Sequence, residues 1–216
     1  LGLPAIILLK QPDTGTLISI TASCLVMFLV AGGKKRHFLL LIILGIITVA
    51  TMAYFKPYAM ARIMTFLDPT KDPLGAGYQI RQSLIAIGSG QIIGRGFGQS
   101  IQKFKFLPEA VGDSVFAVLS EEFGFMGSVT LVSLFMFFGL RGLKISSQAK
   151  DDYGRLLSLG LITLVISQSF VNMGAMLSIL PLTGLPLIFL SHGGTALVVS
   201  LFEMGIILNI SKYQKK

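Results

Sequence analysis

The chain has 216 residues, of which 53% are apolar and 13% charged, and its net charge is +8. So apolar a composition excludes an ordinary soluble domain and points to helices in lipid. The single cysteine, Cys24, lies in an apolar run and excludes an internal disulfide framework, while the positive balance comes without the basic helix or aromatic-basic interleaving of a nucleic-acid binder.

Taken in order, residues 1–9 read as the tail of a helix, and no signal peptide is visible. Lys10 to Thr16 is a polar turn with Pro12 and Gly15. Residues 17–31 are expected to form a first complete span and residues 38–54 a second, separated by the basic loop Gly32 to His37. Both are near the lower length limit for a membrane helix, so flanking residues have to join them. Residues 55–112 form a long polar segment. Within it Ile80, Leu84, Ile87 and Ile92 recur at helical spacing, which predicts a short amphipathic helix at the membrane surface. A helix is predicted from Asp113 or Ser114, with an apolar body over 115–143 interrupted only by Ser120-Glu121-Glu122. A charged loop is expected at 141–155, a span at 156–171, and a last span at 193–210. Residues 172–192 are apolar but broken by Pro181, Gly184 and Pro186; such backbone survives at membrane depth only when buried in protein or lining a cavity. The fold class is therefore all-α, a polytopic transmembrane helical bundle with one long loop.

Orientation follows from the short loops. Lys34-Lys35-Arg36, the 141–155 loop and the C-terminal Lys212, Lys215 and Lys216 are rich in cations and are expected in the cytoplasm. The long segment is then outside, together with Lys10 and Asp13.

Lys103, Lys105, Glu109 and Asp113 gather beside Pro108 and Gly112, just ahead of a hydrophobic run. Charge beside lipid is costly and marks a candidate site. The run Gly94-x-Gly96-x-Gly98 lacks the spacing and the strand–helix context of a nucleotide fingerprint. No zinc-type cluster and no Ser-His-Asp arrangement can be argued.

The same stretch carries a resemblance. Gln102-Lys103-Phe104-Lys105-Phe106-Leu107-Pro108-Glu109-Ala110, then Asp113, then Phe116-Ala117-Val118-Leu119-Ser120-Glu121-Glu122-Phe123-Gly124, resembles the large extracytoplasmic loop of the SEDS family (shape, elongation, division and sporulation; FtsW, RodA and SpoVE). Lys10-Gln11-Pro12-Asp13-Thr14-Gly15-Thr16 and Ser191-His192-Gly193-Gly194 match it too, in the family's order and over essentially the whole chain. The QK-x-x-x-LPEA form is closer to FtsW than to RodA. The family pattern has His-Thr where this chain has Val111-Gly112, and Tyr where it has His192.

The resemblance implies a fold of about ten spans. This chain would supply roughly the C-terminal half or a little more as a single domain over 1–216, its N-terminal spans missing. It also implies a peptidoglycan glycosyltransferase that polymerises lipid II outside the cytoplasmic membrane in septal wall synthesis. Implied with it are a class B penicillin-binding protein and other divisome membrane proteins as partners, and Mg2+ or Mn2+ on the pyrophosphate. A lipid II flippase and a non-catalytic divisome scaffold are the alternatives. Asp113 would be the catalytic base; the other reading is a helix N-cap. Glu109 would orient substrate or help hold the cation, against solvation or a salt bridge. Lys103, Lys105, Arg95 and Arg81 would grip the pyrophosphate, against contact with anionic headgroups. Asp13 would shape the cavity or pair with a cation, against capping the following helix. Glu121 and Glu122 read as structural pairing groups. Asn172 and Ser191 to Gly194 flank the broken segment, the glycines as packing residues. Glu203, in mid-span, has no partner in sight.

Overall fold

The computed structural model describes residues 8, 11, 13–55, 57–69 and 72–214. The helix tail at 1–9 (Leu8 apart), Lys10 and the terminal Lys215 and Lys216 lie outside them. Every regular element among the described residues is helical: α1 (Thr14–Val30), α2 (Lys35–Phe55), α3 (Pro57–Leu67), α4 (Ala76–Ser89), α5 (Ile101–Lys105), α6 (Val115–Ser147), α7 (Asp152–Met176) and α8 (Gly194–Lys212). Three of them, α6, α7 and α8, are long and apolar enough to cross a membrane, and α1 is a shorter apolar helix.

Local chemistry sets the boundaries. The Asp13 carboxylate accepts the Thr16 N–H at 3.0 Å and caps α1. Asp72 accepts the N–H groups of Gly75 and Ala76 ahead of α4, and Asp151 accepts that of Gly154 at the start of α7. Such caps satisfy N–H groups that a helix end leaves without a partner. The charged loop expected at 141–155 is mostly helix, because α6 continues to Ser147 and α7 begins at Asp152. Arg141 and Lys144 carry long apolar stems that let a helix end emerge from lipid without unwinding.

The bundle is organised on α7, against which α1 and α6 pack. Small residues allow the approach. A Cβ on Gly160 would run into the Met27 sulfur, one on Gly142 into the Ile162 side chain, and the Ser23 hydroxyl donates to the Gly160 carbonyl at 2.6 Å. Close backbone contact of this kind is what membrane helices use where no hydrophobic driving force separates them from lipid. At one end the core passes from α6 and α7 into α4 and the irregular 177–193 stretch, through Ile80, Phe116, Phe135, Met173, Met176, Leu182 and Leu187. This apolar plug is the floor of the candidate site. Of the predicted apolar stripe, Ile80 is buried against protein, Ile87 packs partly against the same core, Leu84 is 41% exposed, and Ile92 lies beyond the end of α4.

α6 is broken once, at Gly124, which has φ 66° and ψ −162°. The glycine-rich run at 90–98 fills the gap. The N–H groups of Arg95 and Gly96 donate to the Glu121 and Glu122 carbonyls, both at 3.0 Å. In return the N–H groups of Phe125 and Met126 donate to the Gln91 and Ile92 carbonyls at 2.8 and 3.1 Å. The spaced glycines are thus a docking surface for a helix break. A Cβ on Gly94 would collide with the Glu122 carbonyl.

Candidate functional site

The turn at 109–114 is tied from inside and from below. Glu109 has φ 47°, and its carbonyl accepts the N–H groups of Gly112 and Ser114 at 2.9 and 3.1 Å. The Ser114 hydroxyl donates to the Pro108 carbonyl at 2.9 Å. Ser114, not Asp113, is the N-cap of α6. The Asp113 side chain is thereby left for other contacts: its Oδ1 accepts the Gln79 amide of α4 at 3.0 Å, and the same amide reaches the Ser114 hydroxyl.

From the far side of the chain, the broken segment grips this turn. The Asn172 side-chain amide donates to the Asp113 and Leu185 carbonyls, both at 2.7 Å. The Ser191 hydroxyl donates to the Gly112 carbonyl at 2.6 Å, and the His192 N–H to the Val111 carbonyl at 2.8 Å. Val111 and His192, two departures from the family pattern, are thus in backbone contact.

Gly184, at φ 70°, lies beside the turn. A Cβ there would stand 3.9 Å from Arg62 Nη2 and 4.0 Å from Asp113 Oδ2, so the guanidinium and the carboxylate face each other across one glycine. Arg62 comes from α3 and is held by donation from Nη1 to the Leu182 carbonyl at 3.0 Å. Burial pushes the Asp113 carboxyl above its ordinary value; the Gln79 amide lowers it and the Glu109 charge raises it further. A carboxyl so placed, opposite a fixed cation, can take a proton from a hydroxyl while the cation receives negative charge.

A model of the cell cycle protein family FtsW/RodA/SpoVE matches residues 1–216. The chain belongs to this family. It is 41% identical over 210 residues to stage V sporulation protein E of Bacillus subtilis, an alignment covering 97% of this chain and 57% of that protein. A probable peptidoglycan glycosyltransferase FtsW of Geobacter metallireducens is 40% identical over 209 residues, covering 97% and 56%. The chain thus spans little more than half the length of these relatives. Among solved structures, one of a peptidoglycan synthase complex that coordinates polymerization and crosslinking superposes with a TM-score of 0.75 at 28% identity, covering 97% of this chain and 58% of that one. The rod shape determining protein RodA of Thermus thermophilus, solved as an aspartate-to-alanine mutant, gives 0.64 at 25% identity, covering 99% and 55%.

In this FtsW/RodA/SpoVE chain the candidate residues divide by place. Asp113 and Glu109 share the turn, and a Cβ on Gly112 would lie 2.8 Å from Glu109 Oε2. Asp13 caps α1, whose Gly15 packs on Thr183 and Leu185, next to Gly184. Arg95 and Lys103 stand against α6 further along: Arg95 Nε is 3.4 Å from Glu121 and Lys103 Nζ 3.9 Å from Glu122. Glu121, 1% exposed, also accepts from the Ser100 hydroxyl at 2.5 Å and from the N–H groups of Ile101 and Gln102, closing the start of α5. Lys105 is exposed at the end of α5, and Arg81 is exposed on α4, two residues from Gln79 and so on nearly the opposite side of that helix. Arg62 and Gln79 escaped the sequence reading. Each has a weak signal only: Arg62 is the one cation of α3, and Gln79 precedes the buried Ile80.

Proposed function

We propose that this chain is the part of a peptidoglycan glycosyltransferase that carries its general base, polymerising lipid II at the outer face of the bacterial cytoplasmic membrane during septal wall synthesis. The observation that carries the reading is the Asp113 carboxylate, half-buried and held by Gln79, opposite the Arg62 guanidinium across Gly184. In this reaction Asp113 takes the proton of the acceptor sugar hydroxyl. The hydroxyl oxygen forms its bond to the anomeric carbon as the bond from that carbon to the lipid pyrophosphate breaks, with inversion. The proton ends on Asp113, and the departing pyrophosphate carries the electron pair. Arg62 is aimed where that negative charge gathers, and preorganised donors there act on the transition state directly. Glu109, exposed at the same turn, orients the sugars.

Among the described residues no group of three His, Cys, Asp or Glu side chains could hold a metal ion. Glu109 with Asp113 suits an ion of the Mg2+ or Mn2+ kind only as one or two carboxylates completing a shell of phosphate oxygens, the way such ions are commonly held. Bound there, the ion would neutralise pyrophosphate charge. The partner on this reading is a class B penicillin-binding protein with other divisome membrane proteins, and the C-terminus lies in the cytoplasm.

The test uses the full-length protein with its transpeptidase and labelled lipid II, comparing wild type with Asp113→Asn by glycan chain length. Long chains from wild type and none from a folded, partner-bound variant are expected. Equal chains from both would remove Asp113 from the chemistry. No chains from either would favour translocation or scaffolding, which a vesicle assay for lipid II movement then separates.

A further inference from the structure

The hydrogen bonds across the α6 break also fix the depth of the glycine-rich loop, whatever chemistry Asp113 performs. From Phe123 to Leu140, between Glu122 and Arg141, run 18 residues without a charged side chain. The hydrocarbon of a bilayer takes about 20 helical residues. Nearly all of this run must therefore lie within it, Phe125 and Met126 included. The N–H groups of these two residues are bonded to the carbonyls of Gln91 and Ile92. The loop is thereby held level with the first lipid-facing turn of α6 rather than above it.

What the loop presents at that level is apolar. Ile92 is 66% exposed, Ile93 80% and Phe97 82%. The Phe97 ring lies 6.0 Å from that of Phe123, which makes the patch continuous with the exposed Phe125 and Met126 on α6. Backbone outside a helix is tolerated in lipid only where its polar groups find partners within the protein. Here the N–H groups of Gly94, Arg95 and Gly96 and the carbonyls of Gln91 and Ile92 have one, while the N–H groups of Ile92, Ile93 and Phe97 have none among the described residues and have to meet water or headgroups at the edge of the leaflet, their side chains reaching inward. Around the patch stand cations: Arg95 and Lys103, each partly exposed beside its glutamate, and Lys105. Long basic side chains at that height reach lipid phosphates.

We propose that residues 91–97 form a re-entrant loop seated in the leaflet on the Glu122 side, with Ile92, Ile93 and Phe97 in the hydrocarbon and Arg95, Lys103 and Lys105 at the headgroups. The surface it fits is the bilayer itself.

Spin-label depth measurement tests this on the full-length protein in nanodiscs of phosphatidylethanolamine and phosphatidylglycerol. Every native cysteine is replaced, Cys24 included, and single labels are placed through Phe97→Cys, Ile93→Cys, Phe125→Cys and Lys105→Cys. Power saturation compares oxygen with a water-soluble nickel chelate. The expected oxygen-to-nickel accessibility ratio at 93 and 97 matches that at 125 and exceeds that at 105. Nickel access at 93 and 97 equal to that at 105 overturns the proposal, and so does shielding of both from both reagents, which would mean that protein covers the patch. Two label positions keep the answer available should one variant misfold.

Discussion

Asp113 is the residue on which burial and two neighbours act with different signs, and that makes its role measurable. Burial and the Glu109 charge raise its carboxyl, and the Gln79 amide lowers it. Because the folded protein keeps this proton to a higher pH than the unfolded chain does, stability falls as pH rises from the ordinary carboxyl value through the raised one. If Asp113 is the base, as proposed, activity moves the other way and rises across the same window, since only the ionised carboxylate accepts a proton. Gln79→Ala removes a lowering contact and should shift the acid limb of the pH–rate profile to higher pH. Glu109→Gln removes a raising charge and should shift it to lower pH. Initial rates of lipid II polymerisation against pH check both, and movement in the same direction would remove the assigned couplings. Asp113 was legible in the sequence because a carboxylate ahead of an apolar run is conspicuous. Its neighbours were not: Gln79 is 34 positions away and the Leu182 carbonyl that holds Arg62 is 120 from it. Distances of that kind are set by the fold, not by local pattern.

At the level of elements, the α6 break depends on the loop that fills it. A break in a membrane helix frees carbonyl and N–H groups, and each left without a partner in lipid costs several kcal/mol. The 91–96 run supplies those partners only because Gly94 passes against the Glu122 carbonyl at φ 89°. Gly94→Ala should therefore combine backbone strain, of order 1–3 kcal/mol, with a collision. Gly98→Ala, at φ 76° with open space around its Cβ position, should bring strain alone. Thermal unfolding in detergent is expected to show the larger loss for Gly94→Ala, with faster amide exchange at Phe125 and Met126. Equal losses for both variants would mean that the loop does not support the break. Hydrophobic pattern predicted one helix with an apolar body over 115–143 interrupted at Ser120-Glu121-Glu122, but not the backbone break at Gly124. The break depends on the docked glycines, about 30 positions earlier in the chain, and nothing in the local pattern reports that contact.

On the scale of the whole molecule, the site is a joint between segments far apart in the chain, and Asn172 is its fastener. The α7 side chain, 1% exposed, donates to carbonyls of the Asp113 turn and of the irregular 177–193 stretch. The turn supplies the proposed base, while the segment supplies Gly184 and the Leu182 carbonyl that holds Arg62. Asn172→Ala leaves both carbonyls without that donor, at about 1–3 kcal/mol for each buried group that loses its partner. Part of this is returned, since Oδ1 of Asn172 is itself buried without a hydrogen bond. The net effect should be a protein that still inserts and folds but melts earlier, with faster exchange at 111–114 and 183–187 together. Polymerisation should drop in step, although every proposed reacting group is intact. Hydrogen exchange and glycan length on the same preparation decide it. Faster exchange at the turn without change at 183–187 would show that the two segments are held separately, and that the Ser191 and His192 contacts join them instead.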